Sequence, residues 1–512
     1  VSLSLPRTFG RSLLLVLAIA LIALSLWRLH SASDGALTEA ASIDGAPATI
    51  FRPQGQARGP VILIAHGFAG SQQLMQSFGY AFARNGYTAV TFDFPGHGRN
   101  PAPMRGSIAE ESGATRNLVA ATARAAAFAR KLGDGRLAVL GHSMASDIVI
   151  RFAQSDPSVG ATIAVSMFSP VVTRDSPGNL LVIVGEWEGM LTREALRVTS
   201  LSIAPQAAEP QTTYGDFASG AARRTAISPH VEHASVLFSE TSLREAVDWV
   251  DRSFGFASRS NLSIPARGPW IILLLAAIVL LAHSLARYLP RVVDEPVGAN
   301  LTWRELAGPL LVPMVLTPLI LRITPTGFLP VLVADYLAAH FFVYGLLTTL
   351  CLAFVLRGRA QSWRQGSAMR FMLALFAVVA FNFVALAWPI DVFLTSYAPG
   401  AERALLILAM IVGAAPFFLA DEWMTRGATP ARAAYAASKL AFVASLAMAI
   451  ALDFQRLFFL AIITPFILAY FIVYGLISRW TYAATGHPFV AGLANAIAVA
   501  WAIAATFPLL SR

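Results

Sequence analysis

The chain has 512 residues, 56% hydrophobic and only 13% charged, with a formal charge of +9. Soluble domains carry about a quarter charged residues, so part of this chain belongs in lipid. Nearly all of the positive charge is arginine, only Lys131 and Lys439 being lysines, and the arginines collect at the ends of apolar segments instead of on one soluble face, which argues against a nucleic-acid partner. The single cysteine, Cys351, excludes an intrachain disulfide.

Arg7 and Arg11 precede a largely apolar stretch, residues 12–27, that ends at Arg28. It is long for a signal-peptide core and slightly short for a span of about 20 residues. We read residues 1–30 as an uncleaved signal anchor; the alternative is a signal peptide cut near Ser31-Ala32-Ser33. Residues 31–265 then have the composition of a soluble domain. Short apolar runs alternate there with helix-like patterns, which predicts βα units and a mostly parallel sheet. The expected strands are Val61–Ala65, Thr88–Phe92, Arg136–Leu140, Thr162–Met167, Leu180–Val184 and Arg224–Ile227, with helices over residues 72–85 and 112–131. Near the end of the domain, Leu243, Ala246, Val247 and Val250 recur at helical spacing and predict an amphipathic helix packed on the sheet.

Residues 266–512 form the membrane domain, an all-α transmembrane bundle of about eight spans near 269–289, 306–321, 328–356, 371–389, 404–420, 437–452, 457–478 and 488–509. Arginines gather in alternate loops: Arg287, Arg291 and Arg304; then Arg357, Arg359, Arg364 and Arg370; then Arg426 and Arg432 with Lys439. The intervening loops hold only Arg322, Arg403 and Arg456. By the positive-inside rule the dense loops are cytoplasmic. The soluble domain and the C-terminus then lie outside, as expected of a multi-pass protein of a bacterial-type inner membrane with a periplasmic domain. Asp335, His340, Asp421 and Glu422 are ionisable residues within or at the edge of the spans, read as interhelical hydrogen-bonding or interface groups. There is no nucleotide-binding loop, metal-ligand cluster or internal repeat, and no cofactor is expected.

Within the soluble domain, the strand at Arg136–Leu140 runs into Gly141-His142-Ser143-Met144-Ala145 and then a helical pattern. That is the context of a nucleophile elbow, whose tight turn requires small residues two before and two after the nucleophile. Gly141 and Ala145 are small, Ala145 standing where the usual G-x-S-x-G has its second glycine. A serine N-cap would look the same locally. Two further motifs follow neighbouring strands: His66-Gly67-Phe68 after Val61–Ala65, and "FDFPGHGRN", Phe92–Asn100, after the next. In this order, over residues 45–255, the chain resembles serine hydrolases of the α/β-hydrolase superfamily, esterase and lysophospholipase-like members among them.

The resemblance implies an α/β-hydrolase fold and a Ser, Asp/Glu, His chain order. Ser143 is then the nucleophile and His233, in "PHVEHASVLFSE", the base, with His230 as competitor. The carboxylate follows the strand-ending Gly185: Glu188 by family spacing, with Glu186 and more distantly Asp216 as alternatives. Backbone N–H groups of Phe68 and Met144 would form the oxyanion hole, while His66, Asp93 and His97 shape loops. The cap that many members insert after the strand at Thr162–Met167 has no counterpart in the short "FSPVVTRDSPGN", so no sizeable cap is expected. Two functions remain open: a membrane-anchored serine hydrolase acting on an ester or lipid substrate at the bilayer, or a transporter or receptor-like protein whose hydrolase-like domain only binds a ligand.

Overall fold

The computed structural model describes residues 7–106, 111–359 and 365–511, so Arg364 of the expected arginine-rich loop lies outside the described residues. The chain divides into two compact units. One comprises Ala23–Leu274 with two short pieces from far along the chain, Ile390–Ala398 and Pro508–Arg512; the other comprises Val1–Ile22, Leu275–Pro389 and Pro399–Phe507.

The first unit is built on a sheet of nine strands. After helix α1 (Arg7–Ser31), β1 (Ala36–Ile43) and β2 (Ala46–Pro53) form an antiparallel hairpin. Its two-residue turn, Asp44-Gly45, has φ of 51° and 86°, the paired left-handed conformation that matches strand twist. No strand was expected ahead of Val61. Then come β3 (Val61–Ala65), α2 (Gln76–Arg84), β4 (Thr88–Phe92), α3 (Arg116–Arg130), β5 (Leu137–His142), α4 (Met144–Ser155), β6 (Val159–Val165), β7 (Leu180–Gly185), α5 (Gly189–Ser200), β8 (Thr213–Tyr214), β9 (Arg223–Ser228) and α6 (Glu240–Ser253). The spatial order is β1-β2-β4-β3-β5-β6-β7-β9-β8. From β4 to β9 the neighbours are parallel. Strands covered on both faces must be apolar throughout, and every residue of β3, β5 and β7 is buried.

On one face α2 and α6 bury Phe78, Phe82, Trp249 and Val250 against Phe51, Ile62 and Ile183. On the other, Ile150 of α4 and Val198 of α5 meet Val182 and Val184. The strand expected at Thr162–Met167 begins and ends earlier, because Ser166 adopts φ 51° and turns the chain out of the sheet. Among the described residues, no helix lies between Val165 and Leu180. The mostly parallel sheet with helices on both faces is an α/β-hydrolase fold.

The second unit is helical. Nine helices, counted among the described residues and including Ser12–Ser31, are long and apolar enough to cross a membrane. Four of their buried charges pair within the unit: Lys439 Nζ with Asp421, which also accepts from Ser438, and Arg426 with Glu422 at 2.9 Å, Arg426 also donating to Ser478 at 2.8 Å. Arg403, fully buried, donates to the carbonyls of Ala504 and Phe507 at 2.6 and 2.8 Å.

In the first unit, the carboxylate of Asp251 is fully buried and shared by Tyr87 Oη at 2.5 Å, Arg259 at 3.0 Å and Arg58 at 3.5 Å. Removing one partner of a buried charge group costs about 3–5 kcal/mol. Asp251→Ala is therefore expected to lower the thermal unfolding midpoint of the purified protein by several degrees, whereas Glu240→Ala, in an exposed 2.8 Å pair with Arg244, is expected to leave it within about 1 °C.

Candidate active site

β5 delivers Ser143 to the carboxyl edge of the sheet. A Cβ on Gly141 would lie 2.3 Å from the Ala145 carbonyl oxygen, so only glycine fits there, and Ala145 is itself fully buried. Ser143 has φ 53° and ψ −119°, a strained conformation for an L-residue. It is held by its N–H, which donates to Val165 O at 2.9 Å, and by its carbonyl, which accepts from Ser146 N–H at 2.9 Å and Ser146 Oγ at 2.5 Å. The helix α4 starts at the next residue, directing its N-terminal partial charge toward the serine.

Ser143 Oγ lies 2.9 Å from His233 Nε2, and His233 Nδ1 lies 2.6 Å from Glu188 Oε1. With Nδ1–H donating to the carboxylate, Nε2 is left to accept the serine proton. Glu188 is buried, and its second oxygen accepts from Gly185 N–H and Ser166 Oγ, both at 2.7 Å. Gly185 has no room for a side chain, because a Cβ would sit 2.5 Å from Val231 O. His142 Nε2 donates to the His233 carbonyl at 3.0 Å, and the two rings lie 4.9 Å apart. Burial, with the neighbouring His233 adding to it, holds the His142 imidazole well below the usual range, so this ring is neutral.

The alternative residues lie elsewhere. Glu186 pairs with the exposed His230, accepting from its N–H at 2.7 Å and lying 3.2 Å from Nδ1. Asp216 caps its own loop, accepting from Ser219 N–H at 2.9 Å. Ser166, Ser146 and His142 were not singled out as site residues. His142 and Ser166 act on His233 and Glu188, far away in sequence, so only the folded sheet brings them together, whereas Ser146 acts locally on the Ser143 carbonyl.

Beside Ser143, Gly67 approaches so closely that a Cβ would be 3.0 Å from Ser143 Cβ. Phe68 follows it, and a turn closes where Gly70 N–H donates to Gly67 O at 3.1 Å, with Ala69 at φ 54°. His66 Nδ1 donates to Gly67 O at 2.8 Å, and His66 Nε2 accepts from Phe94 N–H at 3.1 Å, tying this loop to the one after β4. Asp93 accepts from Gln72 N–H at 2.8 Å and Arg99 N–H at 3.0 Å, and burial pushes its carboxyl above the ordinary value. Gly98 is glycine because a Cβ would fall 2.4 Å from Asp93 Cγ. Phe168, Trp187 and Met190, each within two residues in sequence of Ser166 or Glu188, are 65%, 66% and 70% exposed.

Residues 60–219 match the family described as alpha/beta hydrolase fold. Solved structures are similar over less than half of the chain. TT1662 from Thermus thermophilus is 16% identical, with 43% of this chain and 99% of that one covered at a TM-score of 0.32. A dienelactone hydrolase from Anabaena variabilis is 14% identical, covering 44% and 100%, also at 0.32. A membrane phospholipase A, described as a bacterial virulence factor, is 14% identical, covering 49% and 99% at 0.32. No curated protein matches the chain.

Burial makes His66 and His142 harder to protonate in the folded chain than in the unfolded one. The unfolded state then binds more protons below a pH of about 6.5, so stability is complete above that value and falls as the solution is acidified through it. The unfolding midpoint is expected to drop between pH 7.5 and 5.5, and His142→Gln, which keeps a donor but cannot titrate, to flatten that drop. A slope in His142→Gln as steep as in the wild type would contradict the assignment.

Proposed function

We propose that the protein is a membrane-anchored serine hydrolase that cleaves a carboxylic ester through an acyl-enzyme. The observation that carries this reading is the continuous hydrogen-bonded chain Ser143–His233–Glu188 at the edge of an α/β-hydrolase sheet. A hydroxyl is a weak nucleophile until a base takes its proton. Ser143 Oγ attacks the ester carbonyl carbon as His233 Nε2 accepts its proton, and Glu188 stabilises the resulting imidazolium. The carbonyl oxygen becomes an oxyanion facing the N–H groups of Phe68 and Met144, each such donor contributing about 3 kcal/mol to the transition state. Collapse expels the alcohol, which takes the proton from His233. Water then repeats the sequence on the acyl-enzyme, releasing the acid and restoring Ser143. The exposed Phe168, Trp187 and Met190 favour esters with an apolar acyl chain, lipid esters included.

In this reading the domain lies outside the cytoplasm, which the parity of the apolar helices supports. Residues 390–398 and 508–511 belong to the hydrolase unit, although each is separated from the preceding piece by apolar helices. Those helices are Gly268–Tyr288, Trp303–Ile323, Ala334–Val355 and Ala368–Phe393 in the first interval, and Ala401–Thr425, Ala434–Leu452, Phe454–Thr485 and Pro488–Thr506 in the second. Both sets are even in number, so every piece of the unit returns to one side, and the arginine-rich loops fall on the other.

Ser143→Ala and His233→Ala are each expected to lower kcat on p-nitrophenyl butyrate by at least about 10³-fold, because triad members act as a unit. Glu188→Gln is expected to lose about 10²-fold or more and Glu186→Gln almost nothing. Turnover retained by Ser143→Ala would contradict the assignment, and a wild-type chain without turnover would favour a ligand-binding domain. In spheroplasts, protease added outside is expected to cut loops within residues 31–265 and to spare Arg357, Arg359 and Arg370. The reverse pattern would invert the topology.

A further inference from the structure

The segment Ile390–Ala398 begins in the last turn of one apolar helix and precedes another, yet it belongs to the hydrolase unit. Its hydrogen bonds explain why. Ser396 N–H donates to Ser71 Oγ at 2.7 Å, and Thr395 Oγ1 lies 3.1 Å from the same oxygen. Val392 O accepts from Gln76 Nε2 at 3.3 Å. Asp391 organises the segment: Oδ1 accepts from Tyr397 N–H at 2.7 Å and Ala398 N–H at 2.9 Å, folding the segment back on itself, and Oδ2 forms an ion pair with Arg99.

Both ends of this grip converge on one loop. Ser71 directly follows the Gly67–Gly70 turn. Arg99 N–H and Gln72 N–H share the Asp93 carboxylate, so the Arg99 ion pair holds the residue after Ser71 through a single carboxylate bridge. The turn just before Ser71 contains Ala69 at φ 54°, a conformation that persists only where the surroundings impose it. The chain's last described residues grip the partner loop as well. Met104 N–H donates to Leu509 O at 2.8 Å, Leu509 N–H to Gly96 O at 2.9 Å, and Ser511 N–H to Met104 O at 2.9 Å. Gly96, at φ 80°, leaves the needed space, since a Cβ would lie 2.5 Å from Leu509 O.

We propose that Asp391 is a positioning residue for the oxyanion hole: through Ser396 on Ser71 and through Arg99 on Asp93, it fixes the turn that carries the Phe68 N–H. The membrane half of the sequence thus completes the hydrolytic site with a clasp of its own. This rests on the serine-hydrolase reading above. Oxyanion donors act on the transition state and not on ground-state binding, so the clasp governs kcat while leaving KM nearly unchanged.

The test uses the full-length protein in detergent. Asp391→Ala is expected to lower kcat on p-nitrophenyl butyrate about 10- to 100-fold with KM within about threefold. It is also expected to weaken a trifluoromethyl ketone, which forms a tetrahedral adduct with the serine, by a similar factor. Asp391→Asn keeps an acceptor for Tyr397 and Ala398 but loses the ion pair with Arg99, and is expected to recover only part of the loss. Ser71→Ala, which releases the clasp from the opposite side, is expected to reproduce the Asp391→Ala signature and serves if that variant does not fold. Hydrogen exchange of the peptide spanning residues 66–75 is expected to accelerate in both, a readout independent of turnover. Wild-type exchange and wild-type inhibitor affinity in a folded Asp391→Ala or Ser71→Ala protein would overturn the clasp alone. A wild-type chain without Ser143-dependent turnover, but with accelerated exchange in the variants, would overturn the hydrolase reading and leave the clasp standing.

Discussion

Ser143 sits at φ 53° and ψ −119°, and the hydrolase unit is arranged so that no relaxed alternative is open to it. Residues in such regions cost about 1–3 kcal/mol and survive only where the fold over-determines them. Here the sheet fixes the N–H on Val165, Ser146 fixes the carbonyl, and the Gly141–Ala145 approach leaves no space to relax. The strain is not isolated. Ala69, Ser166 and His230 also adopt left-handed φ, at 54°, 51° and 58°, and each follows the carboxyl end of a sheet strand. Four strands therefore end in sharp turns around one point. Ser166 then reaches Glu188, and Ala69 lies in the turn beside Phe68.

Much of this was legible because the central strands leave little choice. Continuous apolar runs such as Val61–Ala65 and Leu180–Val184 fit only positions covered on both faces, and the elbow follows one of them with small residues at the required distance. The hairpin Ala36–Pro53 was harder to see, because its first strand is polar and exposed over much of its length. Its Asp44-Gly45 turn was the available signal. Glu186 and Glu188 could not be separated by composition. They differ in which one the turn at Gly185 directs inward, and that is fixed by Val231, from the loop after β9. The clasp was not legible at all: Ser71 and Ser396 lie 325 positions apart, and nothing local marks either as the other's partner.

The helical unit follows a separate logic. Intramembrane charges are expensive unless paired. Asp421 and Glu422, read from the sequence as interhelical hydrogen-bonding or interface groups, are buried and joined to Lys439 and Arg426. These pairs, with Ser478, tie helix Ala404–Thr425 to Ala434–Leu452 and Phe454–Thr485. Ile390–Ala398 and the last described residues, although they lie among or after the apolar helices in sequence, belong to the hydrolase unit.

The central claim is that Ser143 is a nucleophile activated by His233. Treating the folded full-length protein with a fluorophosphonate and mapping the adduct by peptide mass spectrometry tests it most directly, since only an activated serine reacts at low reagent concentration. The account predicts a single adduct on the peptide containing Ser143, absent after His233→Ala. No adduct on the folded wild type, or one on a different serine, would contradict it.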